Sequence, residues 1–412
     1  MTLREAEAYL LDLELFGMRF GLDRMHKLMT VLGMPQRRFA SIHVVGSNGK
    51  SSTTRMIAAI LERHGLATGT YTSPHLRSFA ERIEVRERPV DGPVFAAAVE
   101  RAARAARLVD RTLDEDDRVT QFEALTAAAY SELARSRVEV AVIEAGLGGR
   151  YDATNVIPSK VQVVTGVGLE HTRWLGPTIA DIAAEKLAVV PDHGCLVTGE
   201  LDPEAETVAE RVTAERHARR VRAPEKAEIP RRARGAFQRR NFALARTAAE
   251  AFLGELEAGA VQRAADEVEI PGRLQIVAER PLTIHDGAHN PAGVLALTEA
   301  LPEVLGDRRP LVAVVAVLDD KDAAGMLREL GPACDQMIFT RTSHPRSLSP
   351  ATLATLLRQL GGPPAEVVAS ARGAVERARE LAGPDGAVLA SGSIYLIAEL
   401  VRDEGAARAS AL

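Results

Sequence analysis

The stretch Ser41–Thr54, S-I-H-V-V-G-S-N-G-K-S-S-T-T, limits what this chain can fold into more than any other. A β-branched run (Ile42, Val44, Val45) ends in a Gly-x-x-Gly-Lys-Ser-Ser turn, and an apolar-periodic segment (Met56, Ile57, Ile60, Leu61) follows. Strand, glycine turn and helix in that order make a phosphate-binding loop. Glycine lets successive N–H groups point inward, the helix N-terminus adds partial positive charge, and a lysine reaches the outer phosphates. Gly46, Ser47, Asn48, Gly49, Lys50, Ser51 and Ser52 are therefore candidates for a nucleoside-triphosphate site. The longer phosphate-loop pattern would need a glycine where Val44 stands, so this is a shorter variant.

A chain of 412 residues is too long for one ordinary core, and roughly 150 residues per domain predicts two or three domains. Helical and strand periods alternate along most of it, the pattern of an α/β fold with largely parallel sheets. The spacing predicts an amphipathic helix over Met1 to Phe16, strands near Thr68–Tyr71, Val138–Ile143 and Val161–Thr165, and helices at Asp91–Val109, from Thr120, and at Thr178–Val190. Glu200 to Arg234 is polar, and helix and loop are not separable there. Gln238–Leu253 is helical again. Ile270-Pro271-Gly272-Arg273 breaks the pattern and reads as a domain joint, residues 270–276. Beyond it the alternation restarts: strand Leu282–His285, helix from Pro291, strand Val312–Val317, helix from Met326, strand Met337–Thr340, helices from Ala351 and Ala371, and strand Ala387–Ala390. Residues 1–269 are thus read as a phosphate-loop domain and 277–412 as a smaller doubly wound domain.

A net charge of -5 and the lack of a basic stripe argue against nucleic-acid binding. The short clusters Arg231, Arg232, Arg234 and Arg239, Arg240 read as solvated. Cys195 and Cys334 lie far apart beside apolar runs, which predicts reduced core thiols in a cytoplasmic protein. The longest apolar run, Leu311–Leu318, is too short for a bilayer. The tail after Asp403 reads as frayed.

In an open parallel sheet ligands bind at the carboxyl ends of the strands. Ser73, Glu144 and His171 follow strands directly. A carboxylate at the end of an apolar strand needs a cation or a donor, and Mg²⁺ beside ATP phosphates is one such partner. Thr120 and Glu123 have capping-box spacing. Lys186, on its helix, reads as a surface lysine.

Together these motifs resemble the folylpolyglutamate synthase and dihydrofolate synthase branch of the Mur ligases. The likeness extends from Gly21 to Tyr395. It is carried by Gly21-Leu22-Asp23-Arg24, the phosphate loop, Thr72-Ser73-Pro74-His75-Leu76, Gln121-Phe122-Glu123, Glu144 to Asn155, His171 to Gly176, Glu185-Lys186, Gln238 with Asn241, Pro271-Gly272-Arg273, Asp286 to Pro291, Asp320-Lys321-Asp322 and Gly392-Ser393-Ile394-Tyr395. Its order and spacing are specific where each piece alone is weak.

The resemblance implies a Mur-ligase-like ATPase domain followed by a Rossmann-like domain, and a ligase adding L-glutamate to a pterin or folate carboxylate. It implies that Ser47 to Lys50, with Ser51 or Ser52, cradle ATP phosphates, and that Asn241, Arg273 and Asp286 contact ATP. Ser73, Glu144 and His171 resemble ligands of two Mg²⁺ ions. Lys186 resembles a lysine carboxylated by CO₂, and a monovalent cation could join the site. Lys50, Glu144, His171 and Lys186 would carry the catalysis. Residues 21–24, Thr120, Gln121, Phe122, Glu123, Gly148, Gly149 and Arg150 align with the pterin-side pocket, and His289 and Ser393 with residues receiving glutamate. The partners implied are dihydropteroate or a reduced folate and L-glutamate, for a monomer with no membrane.

The chain departs from the pattern at Ser51 (glycine in the family), Glu170 (aspartate), Leu187-Ala188 (Ala-Gly) and His285 (leucine). Two other readings remain. One is a Mur-type ligase of another carboxylate, although about 45 residues before the loop are few for the extra nucleotide-sugar domain of the muramyl ligases. The other is a P-loop switch whose second domain binds a partner.

Overall fold

The computed structural model describes residues 1–13, 19–225 and 234–402. The last residues of the expected N-terminal helix, Arg231 and Arg232, and the tail after Asp403 lie outside them. Strands β1 (Ala40–Val45), β2 (Thr68–Tyr71), β3 (Ile83–Val85), β4 (Arg88–Pro89), β5 (Val140–Glu144), β6 (Val161–Val164), β7 (Cys195–Thr198) and β8 (Arg219–Arg222) form one sheet, ordered β4-β3-β2-β5-β1-β6-β7-β8. Its pairs are parallel except at the β2–β3–β4 edge. A second sheet runs β13-β12-β11-β14-β10-β9, from β9 (Gln275–Glu279), β10 (Leu282–His285), β11 (Leu311–Val315), β12 (Gln336–Phe339), β13 (Ala365–Val367) and β14 (Ala387–Ser391), with only β9 antiparallel.

The central strands read as continuous apolar runs because both of their faces are covered. Along β5, Ala141 and Ile143 pack with Tyr71, Tyr130 and Phe95 beneath the helices Gly92–Asp110 and Gln121–Arg135. Val140 and Val142 pack with Ile57, Leu61 and Phe242 under Lys50–Arg63 and Ala236–Leu253. The alternation recurs in β11, with Leu311, Ala313 and Val315 on one side and Val312 and Val314 on the other.

Several element ends differ from those the sequence predicts. The helix expected to run to Val190 is Ile179–Leu187, short of Pro191, whose ring disfavours helical geometry in the residue before it. The helix expected from Met326 begins at Ala323, where the Asp322 carboxylate caps Gly325 N–H at 2.8 Å. The polar 200–234 stretch contains helix Pro203–Glu215 and edge strand β8. Cys195 and Cys334 are buried and unpaired. Among the described residues no helix is long and apolar enough to cross a membrane.

Two long-range links hold the helical cover of the first sheet. Arg24 Nε donates to both Glu123 oxygens at 3.0 Å, a pair all but sealed from water, and its Nη1 donates to the partly exposed Asp117 at 3.1 Å. Gln121 Nε2 donates to the Leu10 carbonyl at 2.9 Å. The capping box at Thr120 and Glu123 forms as its spacing predicts. Arg24→Ala should strand the Glu123 carboxylate and cost about 3–5 kcal/mol. That is a fall in Tm of about 10 °C, measured by thermal unfolding; an unchanged Tm would show the pair to be incidental.

Candidate active site

The carboxyl ends of the parallel strands of both sheets open on one cleft of about 1160 Å³. From the first sheet come the turn after β1, Ser73 after β2, Glu144 ending β5 and His171 beyond β6; from the second come Asp286 and His289 after β10 and Ser393 after β14.

The turn after β1 closes through glycine at two points. Gly46 (φ +147) leaves no room for a Cβ beside Thr165, and Gly49 (φ +84) would press one within 2.5 Å of Asn241 Oδ1. Only glycine takes this path without strain. Lys50 opens the helix Lys50–Arg63, and its Nζ folds back to donate to the carbonyls of Gly46 (2.9 Å) and Ser47 (3.2 Å). Ser47 Oγ accepts from Gly168 N–H at 3.0 Å, and Thr165 Oγ1 donates to the Asn48 carbonyl at 2.6 Å.

Lys186 corrects the sequence reading. It is 1 % exposed, not on the surface. Its Nζ donates to the same Gly46 carbonyl and to Glu170 Oε1, both at 3.0 Å. Burial, only partly opposed by Glu170, lowers it to about 8. Burial would raise Glu170, but Lys186 and Lys50 hold it at about 2. Glu170 is thus a site residue that sequence reasoning passed over as a mere substitution; the signal available was its place beside His171.

Glu144 is fully enclosed. Its Oε1 accepts from Ser51 Oγ (2.9 Å) and its Oε2 from Ser73 N–H (3.1 Å). Burial raises its pKa although Lys50 opposes the shift. Ser51 therefore orients this carboxylate. His171 adopts a left-handed backbone (φ 48) at the start of helix Thr172–Leu175, a conformation that costs a non-glycine residue of order 1–3 kcal/mol. Burial lowers its pKa to about 4, so the ring is neutral at pH 7. Among the described residues no three His, Cys, Asp or Glu side chains converge on one point. A Mg²⁺ ion shared between one carboxylate, nucleotide oxygens and water does not require that.

The other predicted residues divide into two groups. Ser47, Asn48, Gly49, Lys50, Ser51, Ser52, Asn241, Arg273, Asp286, His289 and Ser393 line the cleft, as do Thr120, Gln121, Phe122, Glu123 and Gly149. Gly21, Leu22, Asp23, Arg24, Gly148 and Arg150 do not line it. Arg24 is engaged with Glu123, and Arg150 Nε donates to Glu185 Oε1 at 2.7 Å. A Cβ on Gly149 would lie 2.8 Å from the carbonyls of both Glu185 and Lys186, so this loop seats the helix that carries Lys186.

In the second lobe, Asp286 accepts from Leu274 N–H (2.7 Å) and Ala288 N–H (2.8 Å), and burial raises its pKa against the pull of Arg273. Burial first, then Arg273, lowers His289 to about 4. Ser393 Oγ caps the helix Ile394–Val401. Asn48 and Asn290 join the lobes through a reciprocal amide pair, at 3.3 and 3.1 Å; sequence reasoning gave Asn290 no role.

A phosphate loop in one lobe facing a second α/β lobe across a shared cleft defines a two-lobe ligase of the Mur type. The Mur ligase middle domain matches residues 44–251, and the Mur ligase glutamate ligase domain matches 272–394. The dihydrofolate synthase/folylpolyglutamate synthase of Mycobacterium tuberculosis is 34% identical over 384 residues, 83% of this chain and 78% of that one. The chain therefore belongs to the Mur ligases, in the branch of ATP-dependent dihydrofolate and folylpolyglutamate synthases. A probable bifunctional folylpolyglutamate synthase/dihydropteroate synthase of Haloferax volcanii is 33% identical over 97% of this chain, which spans 50% of its length. Among solved structures, M. tuberculosis folylpolyglutamate synthase complexed with ADP and AMPPCP has a TM-score of 0.89 at 33% identity, covering 96% of this chain and 98% of that one. Escherichia coli FolC in complex with DHPP and ADP has a TM-score of 0.86 at 28% identity, covering 97% of each chain.

Gly149→Ala should displace the Lys186 helix while leaving the two sheets folded. A shift of about 1 Å at the reacting groups is enough to cut kcat on the order of 100-fold. Steady-state kinetics with circular dichroism as the folding control measure this; full activity would mean that the loop yields freely.

Proposed function

We propose that this protein is an ATP-dependent ligase that joins L-glutamate to dihydropteroate, to a reduced folate, or to both. The observation that carries the reading is the convergence of Lys50 and Glu144 from the first lobe with His289 and Ser393 from the second on one cleft. A carboxylate is a poor electrophile, so the reaction needs an activated acid. The acid oxygen attacks the γ-phosphorus of ATP, giving an acyl phosphate and ADP. The unprotonated amine of glutamate then adds to the acyl carbon, and inorganic phosphate leaves with the C–O electron pair. The amine has a reference pKa of about 8, so a modest downward shift suffices to free its lone pair at neutral pH.

In this reading the turn from Ser47 to Ser52 holds the phosphates, with Lys50 offsetting charge on the transferred group. Asn241, beside the loop in the first lobe, and Arg273 and Asp286, from the joint and the second lobe, meet the nucleotide, and Phe122 lies on the pterin side. Arg24, Glu123, Gly148 and Arg150 act by seating those residues. Glu144, Ser73 and His171 would hold Mg²⁺, and the buried Glu144, whose partners within the chain are neutral donors, suits a hard cation. When bound, Mg²⁺ supplies Lewis-acid stabilisation of phosphoryl oxygens. A second Mg²⁺, a monovalent cation and a carboxylated Lys186 belong to the same reading. Glu170 competes with that carboxylation by holding the ammonium. We place the division of the lobes at 270–276, take the protein as a cytoplasmic monomer, and read its buried free thiols as support for that location.

Phosphate release should require acid, glutamate and ATP together, tested by omitting each in turn; hydrolysis independent of the acid would point to a switch ATPase. Lys50→Ala should lower ligation at least about 100-fold with the fold retained. Glu144→Gln should raise the Mg²⁺ concentration needed for half-maximal rate. An unchanged Mg²⁺ titration would remove Glu144 from the metal site.

A further inference from the structure

The segment that follows β2, Thr72–Leu76, is closely fastened. Thr72 N–H donates to the Arg82 carbonyl at 2.9 Å, Ser73 N–H to Glu144 Oε2 at 3.1 Å and Leu76 N–H to Glu81 Oε2 at 3.0 Å. His75 Nδ1 accepts from Arg82 Nε at 3.1 Å. These partners all belong to the first lobe. The Leu76 carbonyl turns the other way and accepts from Arg402 Nε at 3.0 Å, across 326 residues of chain. The Leu76 side chain crosses over as well, packing against the second-lobe core that contains Leu396 and Ile397.

Arg402 is itself held. Its N–H closes the helix Ile394–Val401 on the Ala398 carbonyl at 3.1 Å, and Arg372 donates to its own carbonyl. Burial lowers its pKa, and Glu81, Glu399 and Glu7 oppose the shift. The helix begins beside Ser393, which lines the cleft, and ends at Arg402, which does not. Its 8 residues make a rod of about 12 Å between the cleft and the Leu76 carbonyl. The joint packs on the same rod, since a Cβ on Gly272 would lie 3.3 Å from Leu76 Cδ1 and 3.4 Å from Ile397 Cγ2. The chain therefore passes between lobes where the helix and the Thr72–Leu76 segment meet. A bond from a guanidinium to a carbonyl is directional and roughly twice as strong as one between neutral groups, so it can set the position of what it grips.

We propose that Arg402 is a positioning residue for the ligase reaction put forward above: by gripping Leu76 it fixes the segment whose Ser73 N–H orients Glu144. Docking of the second lobe thereby sets the geometry of the phosphoryl-transfer site in the first. Arg402 acts through Leu76 and Ser73 and touches no substrate.

Hydrogen exchange of the ligand-free, full-length protein reads this anchor without turnover. In Arg402→Met the peptide spanning Thr72–Ser78 should exchange about tenfold faster, with peptides from Val140–Glu144 and Leu311–Val315 unchanged. In steady-state kinetics kcat should fall about tenfold while KM for ATP stays within about twofold. Arg402→Lys keeps the charge and one donor without the planar fork, and should bring kcat to within about threefold of the starting protein. Arg402→Met combined with Glu144→Gln should be no slower than Glu144→Gln alone, because both changes act on one carboxylate. Unchanged exchange at 72–78, faster exchange throughout both lobes, or effects that multiply in the double variant would overturn the assignment. Faster exchange confined to the segment, in a protein whose phosphate release ignores the acid, would keep the anchor and sink the ligase reading. Acid-dependent ligation with no change of exchange in Arg402→Met would do the reverse.

Discussion

The Gly46 carbonyl oxygen accepts from two ammonium groups, Lys50 and Lys186, and much of the site depends on that junction. Like charges brought together in a low-dielectric setting repel, and a buried cation is costly unless paired. Glu170 meets the cost at Lys186, so the junction links β1, the segment after β6 and the helix Ile179–Leu187 at once. What remains is local positive charge at the start of the helix Lys50–Arg63. That is the environment a polyphosphate requires, and it is assembled before any ligand arrives.

The same logic explains why Glu144 is fastened by neutral donors. A lysine at salt-bridge distance would satisfy the carboxylate and remove its appetite for a divalent cation. Ser51 Oγ and Ser73 N–H fix its two oxygens without neutralising it. Burial raises its pKa against the more distant pull of Lys50 and Arg273. Ser51 therefore supplies an orienting hydroxyl at the start of the helix that follows the loop.

What the sequence discloses and what it hides follow from the range of the interactions. The phosphate loop, the doubly covered strands and the cap at Thr120 are local patterns, fixed by neighbours within a few residues, and they were legible. Lys186 was not, because helical periodicity says nothing of whether an anion 16 residues away will cover a lysine. Glu123 shows both cases in one side chain: its cap is local, whereas its bond to Arg24 spans 99 residues and no spacing pattern announces it. That Phe20, Tyr151 and Trp174 meet was not legible, since only the fold brings positions so far apart to one opening.

The two lobes divide the labour in a way that their sheets dictate. Parallel strands place every productive loop at the same edge, so two such sheets can share a cleft only by turning those edges toward each other. Contacts between the lobes keep them so: Arg239 with Glu303 at 2.8 Å, Arg402 Nε with the Leu76 carbonyl at 3.0 Å, and the amide pair of Asn48 with Asn290. The last is the most telling. Asn48 belongs to the phosphate loop, and Asn290 caps the helix that follows Asp286 and His289. A neutral amide pair is strong enough to register the lobes and weak enough to part, since its net worth is on the order of 1 kcal/mol. The amide pair thereby ties the turn after β1 directly to the start of that helix in the second lobe. An acyl phosphate formed beside Lys50 is exposed to water for as long as the amine is absent, so it benefits from a partner lobe already in register.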